Sequence, residues 1–258
     1  MTLDTFARGR TALVTGASGG IGAEMARRLG AAGARVLLVA RTASALDAVA
    51  ADVRAAGGEA RTVVADLEAP EASADLVARL GEPVDIVVAN AGFGVLAPFA
   101  ETAPEAVRAM VTLNVLALTD LTRLLLPPMI ARRRGGVLTV ASIAAFAPAP
   151  TFAVYAATKS YVLSFTDALH AEARGTGVHV TCLCPGPVAT GFGARAGMDA
   201  GFFTGSLPAT AVARAGLDGL ARNRRRVVPG LLNRAQTLAA GLAPTALAMR
   251  VAAARVRT

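Results

Sequence analysis

Apolar positions in this chain fall into two kinds of run. Short, nearly continuous blocks rich in Val, Leu and Ala occupy 11–15, 35–40, 60–65, 84–89, 136–141, 178–184 and 226–229. Solid rather than alternating apolarity is what a strand shows when helices cover both of its faces. Between these blocks, apolar residues recur every three or four positions, which predicts helices near 20–32, 44–56, 70–80, 104–132, 151–174 and 208–222. Strand and helix alternating in this way form βαβ units, and right-handed crossovers assemble them in parallel. The expected fold class is α/β: a single doubly wound domain with a seven-stranded parallel sheet and helices on both faces.

Such sheets bind ligands beyond the carboxyl ends of their strands, so the chemistry is sought there. The first strand runs into Thr15-Gly16-Ala17-Ser18-Gly19-Gly20-Ile21-Gly22 and a helix follows at once. Glycines at that spacing permit a tight turn and a close backbone approach to a pyrophosphate, and the helix start offers free N–H groups and a favourable dipole. Gly16, Ser18, Gly20, Ile21 and Gly22 are therefore candidate dinucleotide-binding positions, and the domain reads as Rossmann-type. The second strand ends at Arg41, with no acid between Glu24 and Asp47. A carboxylate at that tip would accept from a ribose 2′-hydroxyl; a guanidinium suits a 2′-phosphate instead, which points to NADP(H). Asp66, after the third strand, has two readings: acceptor for an adenine amino group, or cap of the next segment.

Composition narrows the class. With 258 residues, 54 % apolar and 17 % charged, the chain is neither disordered nor, with two Cys, a disulfide scaffold. The longest uncharged stretch, 135–158, is broken by Ser142, Pro148 and Pro150 and reads as strand, loop and helix rather than a membrane span. The absence of a secretory apolar stretch before residue 11 leads to an expected cytoplasmic, reducing location. Of 26 cationic residues, 25 are Arg and one is Lys, at position 159. It lies four residues after Tyr155, so on a helix the two share a face. A phenol near pKa 10 is a poor proton carrier at neutral pH. An adjacent ammonium, with the positive charge of an oxidised nicotinamide, favours phenolate and is expected to lower that pKa.

These residues together resemble the short-chain dehydrogenase/reductase family, NADP-preferring type, over roughly residues 8–230. The resemblance rests on TGASGGIG at 15–22, Asp66-Leu67, Asn90-Ala91-Gly92, Asn114, Ser142, Tyr155-Ala-Ala-Thr-Lys159 and Pro185-Gly186. It implies a catalytic set of Asn114, Ser142, Tyr155 and Lys159. Tyr155 would transfer the proton, Ser142 would hold the substrate oxygen, Lys159 would bind ribose and tune the phenol, and Asn114 would position a relay water. It further implies cofactor contacts from Asp66, Leu67, Asn90, Ala91, Gly92, Pro185, Gly186, Val188 and Thr190, besides Arg41, Tyr155 and Lys159. The family usually has two Asn before Ala-Gly, whereas Ala89 stands in the first place here. The implied activity is NADP(H)-dependent interconversion of a carbonyl and a secondary alcohol, acting as a reductase on an apolar small molecule. Assembly would be a homodimer or homotetramer through the long helices. An NADP(H)-sensing regulator without turnover predicts a degraded catalytic set, and an epimerase or dehydratase relative predicts a larger substrate domain. Neither pattern is present.

Other features point less far. Cys182 and Cys184 read as buried thiols and no metal site is expected, since the only His residues are His170 and His179. Residues 191–207 suit a mobile loop with an apolar underside at Phe202, Phe203 and Leu207, within a substrate lid at 191–213 belonging to a domain of 1–230. Residues 231–258 are expected to form a basic, amphipathic helical extension, with Leu231, Leu232, Ala235, Leu238, Ala239 and Leu242 on one side. From 214 onward there are nine Arg and one acid, Asp218, so this segment holds the whole net charge of +8. Three readings stay open: packing on the domain or a subunit partner, contact with an anionic membrane, or attraction of an acidic carrier. Nucleic acid is disfavoured, because 214–258 contains no aromatic side chain for base stacking.

Overall fold

The computed structural model describes residues 1–198 and 205–242. Phe202 and Phe203 of the expected lid, and residues 243–258 of the extension, lie outside them. Seven parallel strands form one sheet: β1 (Thr11–Thr15), β2 (Arg35–Ala40), β3 (Glu59–Val64), β4 (Ile86–Ala89), β5 (Gly135–Val140), β6 (Val178–Leu183) and β7 (Arg226–Val227). Their order is β3-β2-β1-β4-β5-β6-β7, so the winding reverses between β1 and β4. Thr15 pairs with Val39, Val14 with Val88 and Val140 with Leu183, which brings the carboxyl ends to a common edge.

The ten helices described are α1 (Leu3–Ala7), α2 (Gly20–Ala31), α3 (Ala43–Ala55), α4 (Ala72–Leu80), α5 (Pro104–Val111), α6 (Leu118–Ala131), α7 (Ala153–Glu172), α8 (Gly191–Ala196), α9 (Ala209–Ala221) and α10 (Leu231–Leu242). Each strand sends alternate residues to opposite layers. Ala12, Val14, Val36, Leu38, Ile86 and Val88 pack with α1, α2, α3 and α9. Leu13, Leu37, Val39, Val87 and Val137 pack with α4, α6 and α7. This explains the solid apolar runs.

Three expectations need correction. The helix at 104–132 is interrupted by a π-helical turn over Thr112–Ala117, placing Asn114 where the ladder is locally widened. Residues 191–196 are not loop but α8, capped by Thr190, whose hydroxyl accepts from the Phe192 amide at 3.4 Å. The strand at 226–229 is only two residues long. The stretch 104–131 is long and apolar enough to cross a bilayer, yet Ala117, Leu121, Leu125 and Met129 bury its inner face in the domain core.

Candidate active site

One cavity of about 940 Å³ runs along the carboxyl edge of the sheet, from the glycine loop past Arg41 and Asp66 to Ser142, Tyr155 and α10. Of the expected site residues, all but Gly22 and Asn114 line it. Those two stand directly behind the wall. Gly16 holds φ +64°, and a Cβ there would meet the Asn90 side chain at 2.8 Å. A Cβ on Gly22 would meet the Gly16 carbonyl at 2.3 Å, so the turn and the helix touch through bare backbone. Gly19, by contrast, faces open space, and no side chain caps α2. The result is open space over the start of α2, whose first N–H groups no side chain caps, and this fits a dinucleotide phosphate. Asn90 ties the loop down: its amide group donates to the carbonyls of Thr15 at 2.9 Å and Gly16 at 3.3 Å. The Thr15 hydroxyl accepts from the amides of Asn90 and Ala91, each at 3.0 Å. The single Asn before Ala-Gly therefore still closes this junction.

Arg41 sits at the tip of β2, half-exposed, and donates to Glu68 at 3.0 Å. Glu68 also lines the cavity and sequence reading missed it, because 27 residues and a whole strand separate the pair. Asp66 accepts from the Glu68 amide at 3.1 Å. That bond closes a local turn and is not a helix cap: α4 begins at Ala72 with Glu71 in its cap position, so Asp66 does not cap the next helix and stays on the cavity wall.

At the other end, Ser142 follows β5 and caps a short 3₁₀ turn over Ile143–Phe146, its hydroxyl accepting from the Ala144 amide at 3.1 Å. Tyr155, on the first turn of α7, is 7 % exposed. It is stacked on Phe152 with ring centroids 4.2 Å apart, and Phe192 of α8 leans over it at 5.5 Å. Lys159 lies one turn on, 5 % exposed, and donates to the Val140 carbonyl at 2.8 Å. Its ammonium is 5.6 Å from the Tyr155 ring centroid.

The expected depression of the Tyr155 pKa is not found in the free protein. Burial pushes it up to about 12, against the opposing hydrogen bond with Ser142. Lys159 is itself pushed down to about 8 by burial, with the Cys182 and Cys184 thiols opposing. Its ammonium is directed to a backbone carbonyl and lies over the ring rather than being the dominant influence on the phenol.

Asn114 donates to the Phe93 carbonyl at 2.9 Å and the Thr158 hydroxyl at 3.1 Å, and accepts from the Phe93 amide at 3.1 Å. The π turn supplies the offset needed to reach both partners. A Cβ on Gly92 would lie 2.8 Å from the Asn114 oxygen and 3.4 Å from the Lys159 ammonium nitrogen, so Gly92 keeps open the space between them. Cys182 and Cys184 are buried and free, their sulfurs 3.8 Å apart. Among the described residues no group of His, Cys, Asp or Glu could hold a metal ion.

The remaining wall was not anticipated. Gln236, Thr237, Ala239 and Ala240 of α10 line the cavity. Asn233 donates to the Pro229 carbonyl at 2.7 Å and lies so close to Gly186 that a Cβ there would sit 2.5 Å from it. Val188 forms an isolated parallel bridge with Leu207.

Comparison with known proteins agrees with this geometry. Residues 10–200 match the family described as short chain dehydrogenase. The chain is 36 % identical over 187 residues to the ketoacyl reductase HetN of Nostoc, covering 71 % of this chain and 65 % of that protein. It is 38 % identical over 184 residues to a very-long-chain 3-oxoacyl-CoA reductase of Phaeosphaeria nodorum, covering 68 % and 54 %. The match thus spans less than two thirds of either relative's own length. A short-chain dehydrogenase from Sphingobium yanoikuyae, solved in complex with NADPH, superposes with a TM-score of 0.82 at 32 % identity, covering 89 % of this chain and 92 % of that one.

Proposed function

Because this chain belongs to the short-chain dehydrogenase family, we propose that it is an NADP(H)-dependent reductase that turns the ketone of an apolar 3-oxoacyl thioester into a secondary alcohol. The carrying observation is the convergence of Ser142, Tyr155 and Lys159 on the cavity that also receives the glycine loop and Arg41. The relatives named for ketoacyl and 3-oxoacyl-CoA reduction, and the neighbour solved with NADPH, support the substrate class and the cofactor.

When bound, the dinucleotide supplies the hydride. The glycine loop and the start of α2 would hold its phosphates, Arg41 the 2′-phosphate, and Val188 and Thr190 the nicotinamide end. Tyr155 keeps its proton throughout the neutral range, which suits a donor. The proton passes from the Tyr155 hydroxyl to the carbonyl oxygen, and the Ser142 hydroxyl orients that oxygen by hydrogen bond. The Lys159 ammonium stabilises the phenolate left behind, and Asn114 fixes the backbone beside it. Phe152, Phe192, Leu96, Met198 and Pro148 line the cavity near Tyr155 and suit an acyl chain. A second copy of the chain would pair through α5–α7, where Leu116, Leu124, Ile130 and Tyr161 are exposed.

The test follows NADPH and NADH consumption at the nicotinamide absorbance with 3-oxoacyl-CoA thioesters of increasing chain length, beside 3-ketosteroids. The expected result is NADPH preference and kcat/KM rising with chain length. Turnover confined to steroids overturns the substrate class, and NADH preference overturns the role of Arg41.

A further inference from the structure

Helix α10 presents its two faces the opposite way round from a helix packed by its apolar side. Asn233, Gln236, Thr237 and Ala240 are turned inward, and Thr237 is buried. Leu231, Leu232 and Leu238 are turned outward and are 82 %, 71 % and 69 % exposed. The inward polar residues are anchored, through Asn233 on the Pro229 carbonyl and against Gly186, so the orientation is fixed by contacts rather than by default.

We propose that this outward face docks the protein on an anionic lipid surface. Charge selects the occupant. Residues 231–258, which are α10 and the sequence after it, contain four Arg and no acid. Arg234, on α10 itself, is exposed. A bilayer interface accepts both features at once: leucines enter the boundary of headgroup and acyl chain, and guanidinium groups extend to lipid phosphates. A second copy of the chain fits poorly, since a two-fold contact through α10 would set Arg234 toward its own copy, and α10 carries no carboxylate to answer it. The apolar strip on α5–α7 offers a copy a better face, in which Tyr161 and Leu116 are exposed without such a concentration of charge. Docked this way, α10 stands between lipid on its leucine side and the cavity on its Gln236 side. The docking itself rests on the helix alone and not on the reaction proposed above.

The chain contains no Trp, so Leu238→Trp in the full chain places a single indole on the outward face. Its emission is expected to shift to the blue with vesicles of phosphatidylcholine and phosphatidylserine, and not with phosphatidylcholine alone. High salt should reverse the shift. Sedimentation with the mixed vesicles should fall about tenfold or more when Leu231, Leu232 and Leu238 are all changed to Ser. Circular dichroism and melting temperature of that variant should stay as in the native chain, because all three leucines are exposed. No binding to the mixed vesicles overturns the proposal, as does binding that the serine variant retains. Blue-shifted emission without vesicles also overturns it: a concentration dependence then identifies a second copy on this face, and its lack identifies the chain's own remainder.

Discussion

Arg41 and Lys159 stand three strands apart on the same cavity and are held in opposite ways. Arg41 is half-exposed and paired with a carboxylate, Glu68, in contact with solvent. Lys159 is buried, with a backbone carbonyl as its hydrogen-bond partner. An exposed ion pair contributes about 0–1 kcal/mol and exchanges partners easily. A buried ammonium carries a desolvation cost that a single neutral acceptor does not offset, and its depressed pKa is the record of that cost. On the function proposed above, the Arg41 end would change partners when a phosphate arrives. The chemical end keeps a charge in place at the expense of stability.

The sharpest way to break that contrast is at the group beside the buried charge. Tyr155→Phe keeps the stack on Phe152 and removes the proton, so kcat should fall by roughly a thousandfold while NADPH binding, read by fluorescence titration, stays within a factor of a few. Persistent turnover would show that the proton comes from elsewhere. Lys159→Met comes next, with an expected loss of about a hundredfold in kcat/KM. The same variant should be more stable than the native chain at pH 7, by about 2 kcal/mol once the lost hydrogen bond to Val140 is deducted from the desolvation relieved. The sign follows from protons bound. Lys159 has a folded pKa of about 8, below the ordinary 10.5, so between those values the unfolded chain holds more protons. Native stability should therefore gain with pH across that window relative to the Met variant, a difference that paired denaturant titrations would read. Activity runs the other way. For NADPH, kcat/KM should decline above about pH 8 as the ammonium is lost, with no second decline from Tyr155 until about 12.

The same contrast explains what could be read from the residues beforehand. The sheet wall was legible because strand register places Gly16, Arg41, Asn90, Ser142 and Pro185 at one edge whatever the loops do. Tyr155 and Lys159 were legible from helical spacing. Their electrostatics were not, because burial outweighs proximity and spacing carries no depth. Periodicity showed that α10 has two faces but not which one turns inward; that depends on Asn233 meeting Gly186, a contact formed only after the chain has folded back. The π turn at Asn114 has no periodic signature, since one extra residue in a turn is lost among Leu113, Val115 and Leu116. Phe192 was hidden because its helix is six residues long and glycine-rich.

At the exchangeable end the effects are smaller and separable. Arg41→Ser should cost about tenfold in affinity for NADPH and leave NADH nearly unchanged, since a charge-assisted contact to phosphate is lost from one ligand alone. Equal losses for both would mean that Arg41 shapes the pocket without reading the phosphate. Glu68→Gln tests the partner exchange itself. Removing the carboxylate leaves Arg41 without its resident partner, so NADPH should bind about threefold tighter. Arg41 then no longer has to be drawn from Glu68, and the advantage should shrink as salt is added, because salt weakens the ion pair in the native chain. Weaker NADPH binding in Glu68→Gln would reverse the argument. The carboxylate would then be holding the guanidinium in position for the phosphate, and the adenosine end would be as preorganised as the chemical end.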